Sequence, residues 1–147
     1  MRHKNAGFTL VEILIVVIIL GILAAIVIPQ FTEASNDARN NALASDLQTM
    51  RGQIELYHIQ HLDTYPTAAI VNQLVYRSNS SGTTGSDPND YPFGPYLQKF
   101  PSNPFVAGTT TNQVETGTGT PGSGNYGWYY NTATGKISPD DDDHTSL

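Results

Sequence analysis

Few residues of this 147-residue chain have the types and the spacing that a chemical site requires. Glu55 and His58 show the E-x-x-H spacing of di-iron bundle proteins, with His61 and Asp63 nearby. Such a site needs a second copy of the motif and further glutamates on facing helices, and the sequence has neither. We therefore interpret these four residues as a polar helix face. The sequence also has no nucleophile elbow, no phosphate-binding loop and no cysteine, so we expect no enzymatic activity.

An acidic run near the end of the sequence is a second candidate site, formed by Asp140, Asp141, Asp142 and Asp143, with His144 directly after it. Calcium ligands must converge on the ion, which favours alternating carboxylates and a tight turn. This run is contiguous and contains no glycine, so we interpret it as a solvated tail. We expect no cofactor, and calcium bound by the four aspartates is the alternative.

Glu12 is the third candidate, because it is the single charged residue among the 21 residues from Phe8 to Ile28. A helix of that length spans about 32 Å, enough to cross the hydrocarbon core of a bilayer. A carboxylate costs about 3 kcal/mol at the bilayer centre and less near the interface, so its default interpretation is functional.

The charges that flank this apolar run predict its orientation. Arg2, His3 and Lys4 precede it, whereas the first charges after it are Glu33 and Asp37. The positive-inside rule therefore predicts a single pass with the N-terminus in the cytoplasm. A cleaved signal peptide would have a shorter apolar region and a small-x-small cleavage site, which residues 24–27 do not provide. A plain signal anchor fits the length but leaves Glu12 unexplained.

Residues 4–12, Lys-Asn-Ala-Gly-Phe-Thr-Leu-Val-Glu, resemble the leader and cleavage site of type IV pilins and type II secretion pseudopilins. The resemblance implies that a prepilin peptidase cuts between Gly7 and Phe8 and N-methylates Phe8. Residues 1–7 would then be a removed leader, and residues 8–29 a retained transmembrane and bundling helix. In this family the glutamate at the position of Glu12 pairs with the N-terminal amine during assembly. The interval bracketed by Gly21 and Pro29 commonly loses its helicity inside the fibre.

The elements that carry these residues begin with one very long helix, predicted from Phe8 to about Leu62. Pro29 predicts a kink, because proline removes a backbone donor and clashes with the preceding turn. A stripe with helical spacing is expected to be buried, and it comprises Phe31, Ala34, Ala38, Leu43, Leu47, Met50, Ile54 and Tyr57. The second half of the helix would therefore pack on its own domain, at residues 30–147, and its first half on lipid or other helices.

The sequence after the long helix predicts a small sheet between loops. Residues 67–76 predict a short helix or an ordered turn with Thr67 as the N-cap candidate, and residues 127–138 predict a hairpin. Residues 78–90 and 108–124 are loop-like in composition, and residues 91–105 predict a rigid proline-rich loop. The aromatic cluster of the hairpin is expected to cover the helix, with a binding patch as the alternative, and it consists of Tyr126, Trp128, Tyr129 and Tyr130.

Four short motifs in this half also resemble the major pseudopilin, namely the Tyr-Pro-Thr at 65–67, the Gly-Pro-Tyr-Leu at 94–97, the Asn-Pro-Phe at 103–105 and the Gly-Trp-Tyr-Tyr at 127–130. The resemblance implies an α+β pilin-like fold, in which the second half of the long helix packs on a small antiparallel sheet. The end of the sequence departs from that family, whose major pseudopilin usually carries an Asp/Gly-rich calcium loop there.

The expected function is that of a structural subunit in a helical filament assembled from the inner membrane, either a type II secretion pseudopilus or a related filament. Alternatives are the major subunit of a type IV pilus and a singly anchored periplasmic binding protein or enzyme. Expected partners are further copies of the chain, the prepilin peptidase, an inner-membrane assembly platform, minor pilins or pseudopilins, and the bilayer. Without Arg2 and Lys4 the chain has 5 basic and 13 acidic residues, which argues against direct nucleic-acid binding.

Overall fold

A computed structural model describes residues 7–147. The chain divides into two compact units, Met1–Ala38 and Arg39–Leu147, and each is described by itself. One helix, α1 (Leu10–Gln60), contributes to both. The domain boundary expected at residue 30 remains a prediction.

In the first unit, the large apolar side chains from Phe8 to Phe31 are all more than half exposed. Within the described residues, α1 is the one helix long and apolar enough to cross a membrane, by length and composition. Phe31, Ala34 and Ala38 are exposed, so the buried stripe does not start where the sequence predicted. The physical reason is that the described part of this unit contains no second element against which these side chains can pack.

In the second unit, the rest of the predicted stripe is buried, and it consists of Leu43, Leu47, Met50, Ile54 and Tyr57. These positions recur at spacings of three and four, so one face of α1 is covered. The helix ends at Gln60, two residues before the predicted end. Leu62 and Asp63 adopt left-handed backbone angles (φ 56° and 57°), and the Asp63 N–H donates to the His58 carbonyl at 3.1 Å. This arrangement closes the last turn of α1.

A short helix and a two-stranded ribbon follow. α2 (Ile70–Val75) buries Ile70 and Leu74, but its N-cap is Ala69 and not Thr67. β1 (Arg77–Ser78) pairs in antiparallel fashion with β2 (Thr84–Gly85), and all of this ribbon except Arg77 lies in the segment 78–90 predicted to be a loop. The proline-rich segment contains no element of its own, and it contributes Leu97 and Phe100 to the core.

The main sheet has the strand order β3-β4-β5, with β3 at Val114–Gly117, β4 at Trp128–Asn131 and β5 at Ile137–Pro139. The β4–β5 hairpin is antiparallel, as predicted, but β3 pairs with β4 in parallel, so the sheet is mixed and the expectation of an antiparallel sheet was wrong. β3 lies in the segment 108–124, which is loop-like in composition. Its sequence, Val-Glu-Thr-Gly, lacks the alternation of apolar and polar residues that indicates a strand. It is a strand because it pairs with β4.

The aromatic residues of β4 are packing residues. Trp128 and Tyr130 join the α1 stripe in the core, and Tyr129 is also buried. The Trp128 indole N–H donates to the Pro101 carbonyl at 2.9 Å, and the Tyr130 hydroxyl donates to the Pro66 carbonyl at 2.9 Å. Burial raises the pKa of the Tyr130 hydroxyl. The alternative of a binding patch is therefore wrong for these three aromatic residues.

Candidate processing and assembly site

The junction between Gly7 and Phe8 lies in an exposed, non-helical segment. Both residues are exposed, no neighbouring side chain lies within 4 Å of a Cβ built on Gly7, and α1 begins two residues after Phe8, at Leu10. An extended peptide can enter a peptidase cleft more easily than a helical one, because its backbone groups are not yet paired. The rest of the basic leader, residues 1–6, lies outside the described residues.

Glu12 and Thr9 form a reciprocal capping box at the start of α1. The Glu12 carboxylate accepts hydrogen bonds from the Thr9 backbone N–H and hydroxyl, each at 2.8 Å, and the Glu12 N–H donates to the Thr9 hydroxyl oxygen at 3.3 Å. Such a box satisfies backbone donors that a helix start leaves free. The carboxylate is therefore held within one turn of the junction at Phe8. The pattern Thr-x-x-Glu was visible in the sequence, but its capping role was missed.

α1 runs without interruption through Gly21 and Pro29. Because proline has no N–H, the Ala25 carbonyl lacks its helical donor. One turn later, the Thr32 hydroxyl donates to the Ile28 carbonyl at 3.1 Å. A Cβ built on Gly21 would meet no other side chain within 4 Å. The helix is continuous in the single chain, and the loss of helicity expected in a fibre remains a prediction.

The acidic run is not a solvated tail at its first two positions. Asp140 and Asp141 are buried, whereas Asp142 and Asp143 are exposed. The Asp140 carboxylate accepts backbone N–H groups of Gly122, Ser123 and Tyr126 at 2.9 to 3.4 Å, and it also accepts the Ser123 hydroxyl. Asp140 thus fixes the loop between β3 and β4, which is why its carboxylate can be buried.

Asp141 connects the segment after β5 to the proline-rich loop that contains Asn103. One of its carboxylate oxygens accepts the Asn103 amide at 2.8 Å, and the other pairs with Nδ1 of His144. The His144 ring stacks on Phe105 with ring centroids 4.2 Å apart, and its Nε2 lies 3.1 Å from the Asn40 side-chain oxygen on α1. His144 is therefore part of the packing, and interpreting it as tail was wrong.

Glu55 is exposed on α1, as predicted for a polar helix face, but the same interpretation was wrong for His61. His61 is buried, stacks on Tyr57 at 3.6 Å, and bonds the Tyr57 carbonyl and the Ser78 hydroxyl at 2.8 and 2.9 Å. The Glu55 carboxylate accepts the Tyr65 hydroxyl at 3.3 Å. Across residues 7–147, no group of three or more His, Cys, Asp or Glu side chains is arranged to hold a metal ion.

An exposed apolar helix that can span a bilayer, with a Gly-Phe junction just before it and a small α+β domain after it, defines a membrane-anchored, single-pass, prepilin-like protein. Residues 2–28 match the prokaryotic N-terminal methylation motif. The two observations concern the same N-terminal segment.

The chain is also similar to curated proteins named type II secretion system core protein G. It is 31% identical to that of Dickeya chrysanthemi over 107 residues, which cover 73% of this chain and 67% of the relative. It is 30% identical to that of Klebsiella pneumoniae over 103 residues, which cover 70% of this chain and 71% of the relative. It is 31% identical to that of Pseudomonas aeruginosa over 104 residues, which cover 71% of this chain and 70% of the relative. No solved structure gives a significant match. The chain therefore belongs to the pilin and pseudopilin family, among the relatives of core protein G.

Proposed function

We propose that this chain is a structural subunit of the type II secretion pseudopilus, a helical filament assembled from the inner membrane that helps to move proteins across the outer membrane. The observation that carries the proposal is the exposed apolar half of α1, which begins directly after the Gly7–Phe8 junction. The similarity to core protein G favours a pseudopilus over a type IV pilus. A singly anchored protein that never polymerises would leave the junction and Glu12 without a role.

The physical logic concerns the fate of the apolar surface. In the bilayer, the large side chains from Phe8 to Phe31 face lipid, as their exposure allows. Outside the bilayer they must be covered, and a bundle of identical helices covers them without any other protein. A helical filament is a heterologous assembly that does not close, so every added subunit buries the same surface.

The proposed partners of the chain follow from its passage from the bilayer into the filament. A prepilin peptidase removes residues 1–7 and methylates Phe8, an inner-membrane platform extracts the subunit, and minor pseudopilins associate with the filament. The N-terminus lies in the cytoplasm before assembly, and residues 30–147 lie in the periplasm. Glu12 and Phe8 direct the assembly of the homopolymer. No catalytic step is assigned to any residue.

We further propose that filament function requires no cofactor. The Asp140 and Asp141 carboxylates are already occupied by donors of the chain itself, which supports this view. Calcium binding at Asp140, Asp141, Asp142 and Asp143 is the competing expectation. Calorimetric melting of the chain with calcium and with a chelator separates the two, because a bound ion raises the melting temperature. We expect equal melting temperatures.

Intact-mass spectrometry of protein recovered from filaments tests the proposal. We expect a chain that starts at Phe8 and carries one added methyl group. Gly7→Leu should leave full-length precursor in the membrane and no filaments, because the junction no longer fits the peptidase. Gly52→Leu, at an exposed glycine of α1 far along the sequence from the junction, is the control and should be cleaved normally. A mature chain that retains Arg2 contradicts the proposal.

A further inference from the structure

A groove of about 470 Å³ lies in the second unit between α1 and the β4–β5 hairpin. Arg51 and Glu55 line it from α1, Lys136 and Ser138 line it from the hairpin, and Tyr65 and Gly135 also belong to its lining. The two cations therefore come from different elements and line the same groove.

The walls of the groove are fixed by contacts within the unit. The Arg51 guanidinium donates to the Ile137 carbonyl at 3.3 Å and to the Leu147 carbonyl at 2.8 Å. The Tyr65 ring stacks on His58 with centroids 3.9 Å apart, and a Cβ placed on Gly135 would approach that ring to 2.4 Å. The groove is thus preformed, and little ordering is needed before it binds a partner.

The groove contains two cationic side chains, although the chain as a whole is acidic. After removal of Arg2 and Lys4, 5 basic residues face 13 acidic ones, and Arg51 and Lys136 are two of those 5. Among residues 7–147, neither pairs with an Asp or Glu carboxylate within 4.0 Å, but the Arg51 guanidinium is already bonded to the Ile137 and Leu147 oxygens. Glu55 supplies one negative charge, and its carboxylate accepts the Tyr65 hydroxyl. The exposed Lys136 ammonium is therefore the cation of the groove that has no partner within the described residues.

The same chain carries an exposed pair of acidic residues. Asp142 and Asp143 are exposed and consecutive, and their carboxylates accept no hydrogen bond within the described part of the chain. Asp140 and Asp141, by contrast, are buried and occupied. The fixed segment around Asp141 and His144 therefore presents two unpaired carboxylates to the outside.

We propose that the groove at Arg51 and Lys136 binds the Asp142–Asp143 pair of a second copy of this chain. The contact rests on the proposed filament, in which every subunit brings one groove and one acidic pair. It joins two different surfaces, as a heterologous assembly requires. Complementary charge sets the register of neighbouring subunits and excludes like-charged alternatives.

Cross-linking tests the contact directly, because the chain has no cysteine. Thr134→Cys, which lines the groove and leaves Lys136 in place, and Asp143→Cys, which leaves Asp142 in place, are made in separate full-length chains. The two chains are co-expressed in cells that assemble wild-type filaments and are treated with a short bifunctional thiol reagent. We expect a mixed dimer at about tenfold the level given by Lys99→Cys with Asp143→Cys, since exposed Lys99 lies outside the groove. Equal levels for the two pairs overturn the proposal.

Charge reversal provides the second measurement. Lys136→Glu should lower the filament yield about fivefold, because repulsion replaces attraction at every contact. Asp142→Lys with Asp143→Lys should act similarly, and combining all three changes should restore most of the yield. Lys99→Glu is the matched control. A loss without restoration overturns the proposal, as does a normal filament yield with reduced export of another protein, which would assign the groove to that protein.

Different results would contradict the proposed filament function and the proposed groove contact. If the wild-type chain is processed but forms no filaments, the proposed function is wrong. If it forms filaments whose yield responds equally to Lys136→Glu and Lys99→Glu, the filament stands and the groove contact is wrong.

Discussion

Glu12 is held by its own capping box in the single chain, and assembly offers it another partner. The proposed cleavage would create an α-amine on Phe8 that is largely protonated near neutral pH. The Glu12 carboxylate could pair with the amine of its own subunit, four residues earlier in the sequence, or with the amine of an entering subunit. In an apolar bundle an unpaired charge costs about 3 kcal/mol or more, so incorporation is favoured where both charges are matched.

We predict that Glu12→Ala is inserted and cleaved normally but lowers the filament yield about tenfold or more, since it leaves the amine unpaired. Glu12→Asp should be intermediate, because it keeps the charge on a shorter side chain. Filament yield by immunoblot and precursor processing by mass spectrometry are measured together. Wild-type yield from Glu12→Ala alone would reduce the residue to its capping role.

Loss of the Tyr96 hydroxyl proton lowers the stability of the folded state at alkaline pH. Its hydroxyl donates to the Gln60 side-chain oxygen at 2.7 Å, and burial raises its pKa from 10.0 to about 12. The folded state therefore holds this proton more tightly than the unfolded state. Its contribution to stability is complete below about pH 10 and is lost as pH rises toward 12.

We predict that the free energy of unfolding falls between pH 10 and 12, and that Tyr96→Phe makes this fall shallower because it removes one of the protons involved. Urea titrations at several pH values measure it. Tyr76→Phe, at an exposed tyrosine, is the matched control. An unchanged slope in Tyr96→Phe would contradict the assignment.

At the scale of the element, α1 is a continuous helix with two weak points. Gly21 has low helix propensity, and Pro29 removes the donor for the Ala25 carbonyl. We predict extended backbone between these residues in the filament, although the single chain is helical there. A filament map from electron microscopy measures this.

Replacing both Gly21 and Pro29 with alanine should keep the interval helical, because it restores the propensity and the missing hydrogen bond. Gly52→Ala changes a glycine of the same helix outside the interval and serves as the control. Regular helix across the interval in a wild-type filament would show that the two residues have no such role.

At the scale of the whole molecule, the sheet and the second half of α1 should fold without the apolar segment. A chain that starts near Gln30 retains the complete buried cluster, from Leu43 to Ile137. We predict that it is folded and monomeric at low micromolar concentration, because the surface meant for bundling is gone. Analytical ultracentrifugation and circular dichroism measure this, and a molten or oligomeric chain would contradict it.

Within that shortened chain, Leu47→Asp should lower the free energy of unfolding by about 3 kcal/mol or more, because Leu47 is 2% exposed and the carboxylate finds no partner in the core. Leu56→Asp, on the same helix at 41% exposure, should cost about 0.5 kcal/mol or less. Similar losses at the two positions would show that α1 does not pack as described.

The local features of this protein could be predicted from its sequence. The apolar run, the Leu43–Tyr57 stripe and the β4–β5 hairpin each depend on neighbours within a few residues. Spacings of three and four reveal a buried helix face, and an aromatic run followed by a glycine-containing turn reveals a hairpin. The match to the methylation motif covers the same N-terminal segment.

Only the tertiary structure decided the features made by residues far apart in the chain. β3 becomes a strand by pairing with β4, and Asp140 is buried because the loop at residues 122–126 supplies its donors. His144 meets Asn40 across 104 residues of sequence. A carboxylate or an imidazole is polar by type, and its burial depends on whether distant backbone and side-chain groups satisfy it, which no local pattern records.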